Sequence, residues 1–187
     1  DYRQQSVCGT CNLSTFFHGR IHMTENLLRK EEKSDFDRDG YVIVPNLLTG
    51  NEAELFGKIA RIDRNLAHDR TSRKDGEGGA VDLVVRNDLP TDTIYGAIVR
   101  MQPLVESMEY LLCDEVYHYH HKMNLKEPKV GGAWTWHQDY GYRYDNGCLF
   151  PDMGSCMIAV DRATKENGCL QVLRGSHKLG RIRSEER

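Results

Sequence analysis

No stretch of this 187-residue sequence approaches the roughly 20 consecutive apolar residues that a membrane-spanning helix needs, and none resembles a secretory leader. A basic excess is missing too. Lys and Arg number 25 against 28 Asp and Glu, a formal net charge of −3, which argues against a dedicated nucleic-acid binder. There is no internal repeat and no low-complexity tract; with 39% hydrophobic and 28% charged residues the composition is globular. Cys8 and Cys11 form a C-x-x-C, but no second one follows to complete a zinc site, and His18 and His22 lie too near for a finger hairpin. Residues 1–34 therefore read as an irregular leader, and 35–187 as the domain. Cys113, Cys156 and Cys169 fall in apolar stretches and read as small core residues of a reduced, intracellular protein. No peroxisomal SKL terminus is present; the cytoplasm is the default compartment, with the peroxisome left open.

What is present falls into two textures. The first is helical. Thr49 and Glu52 make a T-x-x-E capping box, and Leu55, Phe56, Ile59, Ile62 and Leu66 share one face, which predicts a helix over about 50–66. A second helical pattern covers about 92–112 and is interrupted or restarted at Pro103. Before these, residues 24–34 are weakly helical, Asp39-Gly40 marks a turn, and 41–44 form a β-type run; 68–80 read as a loop. After Asp114 short β-prone runs follow one another, at 116–125, 134–139, 155–161 and 169–173. Gly, Pro and Asn-Gly connectors separate them, and Gly168 suits a positive φ in a hairpin. Helices first and strands after predict an α+β chain whose second half is an all-β sandwich or barrel.

One constellation stands out. His137 and Asp139 flank Gln138 at the end of a β-type run, and on a strand residues i and i+2 project to the same face. An imidazole and a carboxylate can then converge on one point, two legs of the 2-His-1-carboxylate triad that leaves positions open on Fe(II). The pattern by itself is weak, because chance supplies about 0.6 H-x-D occurrences in a chain of this composition. Taken alone, a His and an Asp that merely face solvent are the better reading of it. In the run 116–125, His118, His120, Lys122 and Asn124 share one face, which either lines a site or meets solvent. Tyr140, Tyr142 and Tyr144 read as an aromatic loop which, with Trp134 and Trp136 before it, is packing or, as the minority reading, the mouth of a substrate site.

The segments 36–48 (FDRDGYVIVPNLL), 117–128 (YHYHHKMNLKEP), 134–153 (WTWHQDYGYRYDNGCLFPDM) and 155–182 (SCMIAVDRATKENGCLQVLRGSHKLGRI) set the context. Together they resemble the phytanoyl-CoA dioxygenase family of Fe(II)- and 2-oxoglutarate-dependent oxygenases. The resemblance implies a double-stranded β-helix, a cupin-like jelly roll with the N-terminal helices packed on it. It implies that His137 and Asp139 are catalytic and ligate Fe(II), with Lys122, Asn124 and Met157 at co-substrate positions; Met157 is equally readable as core filler. The implied reaction hydroxylates an unactivated C–H of a small-molecule or acyl substrate, consumes O₂ and 2-oxoglutarate, and releases succinate and CO₂.

The family also uses a second histidine and an arginine beyond the segment containing His177, which by its position reads as structural. The chain reaches Arg187 before either, so it is expected to be a piece of a longer protein with C-terminal strands missing. The alternative expectation is a non-catalytic jelly-roll binding domain that lacks the third metal ligand.

Overall fold

The computed structural model describes residues 28–63, 68, 71–74, 80–86, 93–125 and 136–182. The predicted leader up to residue 27, with Cys8, Cys11, His18 and His22, lies outside them, as do Leu66 and Trp134. Helix α1 spans Lys30–Asp39 and α2 Gly50–Ile62; strands β1 and β2 are Thr71–Lys74 and Ala80–Arg86. Then come α3 (Ile94–Val99), α4 (Gln102–Leu112), β3 (His121–Leu125) and α5 (Asp139–Asp145), followed by two 3₁₀ turns, Lys165–Asn167 and Ser176–Leu179. Among the described residues no helix is long and apolar enough to cross a membrane.

Local chemistry explains the helix starts. Thr49 caps α2: its Oγ1 accepts the Glu52 amide, and its own N–H donates to Glu52 Oε2 at 2.7 Å. Thr93 caps α3 through the Gly96 amide at 3.1 Å, and Pro103 sits in the first turn of α4, where a missing N–H costs nothing. The pattern over 92–112 is thus two helices, broken at Arg100–Met101 just before the proline.

α2 buries a narrower stripe than its sequence predicts. Phe56 is buried and meets the Tyr95 ring edge-on at 6.0 Å, while Leu55 and Ile62, one step round the helix, are 55% and 75% exposed. Tyr95 also donates to Asp63 Oδ2 at 3.0 Å and pins the end of α2.

The sheet is three-stranded and antiparallel in the order β1-β2-β3. β1 falls inside the segment read as a loop, a correction: cross-strand pairing with β2 (Thr71 opposite Leu83) makes a strand of a sequence too polar to announce one. β2 pairs with β3 so that Val84 faces Met123 and Val85 faces Lys122. Val84 is 2% exposed, so Met123 shares the core side, and Lys122 and Asn124 take the other.

Every buried apolar side chain among the described residues belongs to 28–111: Leu28, Phe56, Val84, Ile98, Leu104 and Leu111. The second half contrasts sharply. The runs 155–161 and 169–173, predicted as strands, carry no ladder hydrogen bonds, and Leu149, Phe150, Leu170, Val172, Leu173 and Ile182 are exposed. A strand is defined by its partner, and among the described residues none flanks them. The run 41–44 is likewise unpaired, and the predicted strand 116–125 begins only at His121. Two of the three presumed core cysteines are corrected as well: Cys113 and Cys156 are exposed, and Cys169 is half-buried.

The second half is fastened to the first at the end of α1, which runs straight through residues 34 and 35. Asp39 accepts from Arg38 Nη2 at 2.6 Å and from Arg174 Nε at 2.7 Å, and its carbonyl accepts the Gly175 amide at 2.7 Å. Arg38, then Arg174, hold the Asp39 carboxyl well below the usual carboxylate range. His177 donates Nε2–H to the Asp37 carbonyl at 3.1 Å and lies over Gly40. Gly40 ends α1 at φ 83°, and a Cβ there would collide with the His177 ring, so only glycine serves.

Candidate active site

His137 Nε2 and Asp139 Oδ1 lie 3.1 Å apart. The convergence expected of an extended i, i+2 pair is present, but its setting differs from a strand end. Gln138 is extended (φ −116°, ψ 119°) and caps α5, so Asp139 opens a helix instead of closing a strand. One extended residue is enough to turn its neighbours to the same side. Gln138 itself points the other way: its Nε2 donates to the Gly180 carbonyl and its Oε1 accepts the Ile182 amide, both at 2.9 Å. A side-chain amide thus copies the two bonds of a peptide partner and fixes the tripeptide against 180–182.

The bond from His137 is the largest cause holding the Asp139 carboxyl below its usual range, with the charges of Lys122 and Arg143 adding to it against burial. Asp139 is therefore ionised at neutral pH and accepts Nε2–H. Helical spacing then brings Arg143, one turn on, to the same side of α5.

Arg143 is 8% exposed. Its guanidinium lies over the Tyr119 ring at 4.4 Å and the Tyr142 ring at 5.0 Å. Its Nη1 and Nη2 approach the two ring nitrogens of His120 at 3.2 and 3.0 Å. Burial, then the Arg143 and Lys122 charges, push the His120 imidazole down, so it is neutral. Burial and the Asp139 carboxylate push the Tyr142 phenol up.

The expected single polar face does not survive intact. His118 Nε2 meets His121 Nδ1 at 3.1 Å, across an interval that strict alternation would keep apart, because 115–120 is not strand. Asn124 and His118 each bury a polar atom, Oδ1 and Nδ1, with no hydrogen-bond partner among the described residues. Lys122 stands close enough to Asp139 to act on its charge, whereas Met157 is 57% exposed in the unpaired run. The Tyr140–Tyr144 stretch is helix, not loop; Tyr140 donates to the Leu149 carbonyl at 2.8 Å. Among the described residues no group of three or more His, Cys, Asp or Glu could hold a metal ion. The residues missed from sequence were Gln138 and Arg143; a lone arginine among alternating tyrosines, four residues after Asp139, was the available signal.

A family model described as phytanoyl-CoA dioxygenase (PhyH) matches residues 36–187. The chain belongs to that family. It is 31% identical over 159 residues to an L-proline trans-4-hydroxylase of Streptomyces griseoviridis, covering 84% of this chain and 58% of the relative. It is 26% identical over 149 residues to an ectoine dioxygenase of Stutzerimonas stutzeri, covering 76% and 48%. A phytanoyl-CoA dioxygenase domain-containing protein 1 homolog of Caenorhabditis briggsae is 28% identical over 186 residues, covering 78% and 64%. The chain thus spans about half the length of the first two of these curated relatives. No solved structure matches it.

Proposed function

We propose that the chain carries the metal-binding part of an Fe(II)- and 2-oxoglutarate-dependent oxygenase that hydroxylates a C–H bond of a small molecule. The observation that carries this reading is the 3.1 Å approach of His137 Nε2 to Asp139 Oδ1 within a member of this family. The relatives named as a proline hydroxylase and an ectoine dioxygenase support a small-molecule substrate. The jelly roll belongs to the same proposal: the exposed apolar runs 155–161 and 169–173 have the patterning of strands that await partners.

The donor set fits two legs of an Fe(II) site, a neutral imidazole nitrogen and a carboxylate oxygen. Bound Fe(II) would supply the redox centre at which 2-oxoglutarate and O₂ react. His137 Nε2 now spends its proton on Asp139, so to ligate it must give that proton up to solvent or carry it on Nδ1. Asp139, held ionised, needs no such step. Lys122, whose charge acts on Asp139, and Asn124, whose buried Oδ1 has no hydrogen-bond partner among the described residues, are the residues this reading places at 2-oxoglutarate. Met157, exposed as it stands, receives no such support.

Calorimetric titration with Mn(II), a redox-silent stand-in, tests the reading. One site is expected, with affinity falling as pH falls because the donors must shed protons, and falling at least about tenfold in His137→Ala and in Asp139→Asn. Affinity unchanged in both variants would sink it and favour a metal-free binding domain.

A further inference from the structure

Arg143 is a buried cation whose contacts are an imidazole, two aromatic rings and the phenol of Tyr142, which also reaches Asp139. Among the described residues no carboxylate lies within ion-pair distance of it. That arrangement is incomplete for two reasons. A neutral imidazole has one lone-pair nitrogen, so of the two close approaches to His120 only one is a hydrogen bond, and the other N–H is left over. The rings, imidazole and phenol carry no charge, and Asp139 acts on the guanidinium only from beyond ion-pair distance, so the positive charge is incompletely compensated at a depth where that is expensive. A carboxylate entering from outside the chain would resolve both, because two parallel N–H groups of a guanidinium match its two oxygens. The carboxylate nearby is Asp139, which accepts from His137 and lies beyond ion-pair distance of the guanidinium.

We propose that Arg143 and His120 form a carboxylate-binding subsite beside the His137–Asp139 pair, taking the acid group of a small organic ligand. The proposal deepens the oxygenase reading and rests on it for the role of the neighbouring pair, though the subsite can be measured without any metal. His120 orients the guanidinium from one side, while Tyr119 and Tyr142 wall it with their rings and keep its plane fixed. The acid is either the substrate's own or an end of 2-oxoglutarate, and both present the same chemistry to the arginine.

The test is calorimetric titration of the whole chain with matched probes. One arm compares cyclopentanecarboxylate with cyclopentanecarboxamide; the other compares 2-oxoglutarate with its 5-methyl ester. The acid should bind about tenfold more tightly than its neutral counterpart in at least one arm, and the arm that shows it names the source. Arg143→Gln should bring that ratio close to one, and Arg143→Lys should recover part of it, a rescue that a purely structural role would not produce. Equal binding of acid and neutral probe in both arms, binding of no probe, or a ratio that survives Arg143→Gln would each overturn the proposal. The wild-type comparison needs no variant, so misfolding of Arg143→Gln does not obscure it. The Mn(II) titration fails separately: a chain that prefers the acid yet takes up no Mn(II) keeps the subsite and loses the oxygenase.

Discussion

Asp39 and Arg143 are the two charged side chains buried among the described residues, and the chain treats them in opposite ways. Asp39 sits at the C-terminal end of α1, where the helix dipole disfavours a negative charge, and is compensated twice, by Arg38 from its own helix and by Arg174 from 135 residues away. Arg143 receives an imidazole, two rings and a phenol, with the Asp139 carboxylate acting on it only from beyond ion-pair distance. The first arrangement is closed and holds two parts of the chain together. The second is open, and openness in a buried charge is what a binding site needs and a structural tie avoids.

The comparison can be broken first where it is strongest. Asp39→Ala should lower the melting temperature more than any other change named here, because it strands Arg174 and cuts the link between α1 and the 174–178 turn; circular dichroism on heating measures it. Gln138→Ala comes next, removing two hydrogen bonds at a cost of about 2 kcal/mol in urea unfolding. It should also loosen Mn(II) binding, since the tripeptide loses its anchor. Arg143→Met should do least to the fold, within about 1 kcal/mol in the same measurement, because an apolar side chain of similar length replaces an unpaired buried charge.

The pH dependence sharpens the same contrast. The folded-state pKa of Asp39 is depressed, so its contribution is fully present above the unfolded carboxylate value of about 4 and is lost progressively as pH falls from there through the folded value. Arg174→Gln weakens the depression. The acid-side loss of stability should then be smaller and complete at a higher pH than in the unaltered chain, while its onset near the unfolded value stays put, and a series of unfolding curves between neutral pH and strong acid would reveal it.

Features that depend on a few neighbouring residues were readable in advance. The Thr49–Glu52 box, the break before Pro103 and the His137–Asp139 convergence each need only local geometry. The last appeared even though its strand did not, because one extended residue suffices. What sequence could not supply was partnership. Runs 155–161 and 169–173 have strand-like composition, but composition names no neighbour to bond with. The Asp39–Arg174 tie joins residues too far apart for any periodicity to connect. Arg143 escapes a loop reading of Tyr140–Tyr144, because only the helix Asp139–Asp145 gives position 143 its relation to Asp139.

Gln138 has a consequence for anyone who would move this chemistry elsewhere. Because one carboxamide does the anchoring that a neighbouring strand usually does, His137 and Asp139 travel as a cassette: three consecutive residues plus a carbonyl and an N–H two positions apart on a docking segment. A host scaffold would have to provide those two backbone groups at the right separation, and no sheet at all.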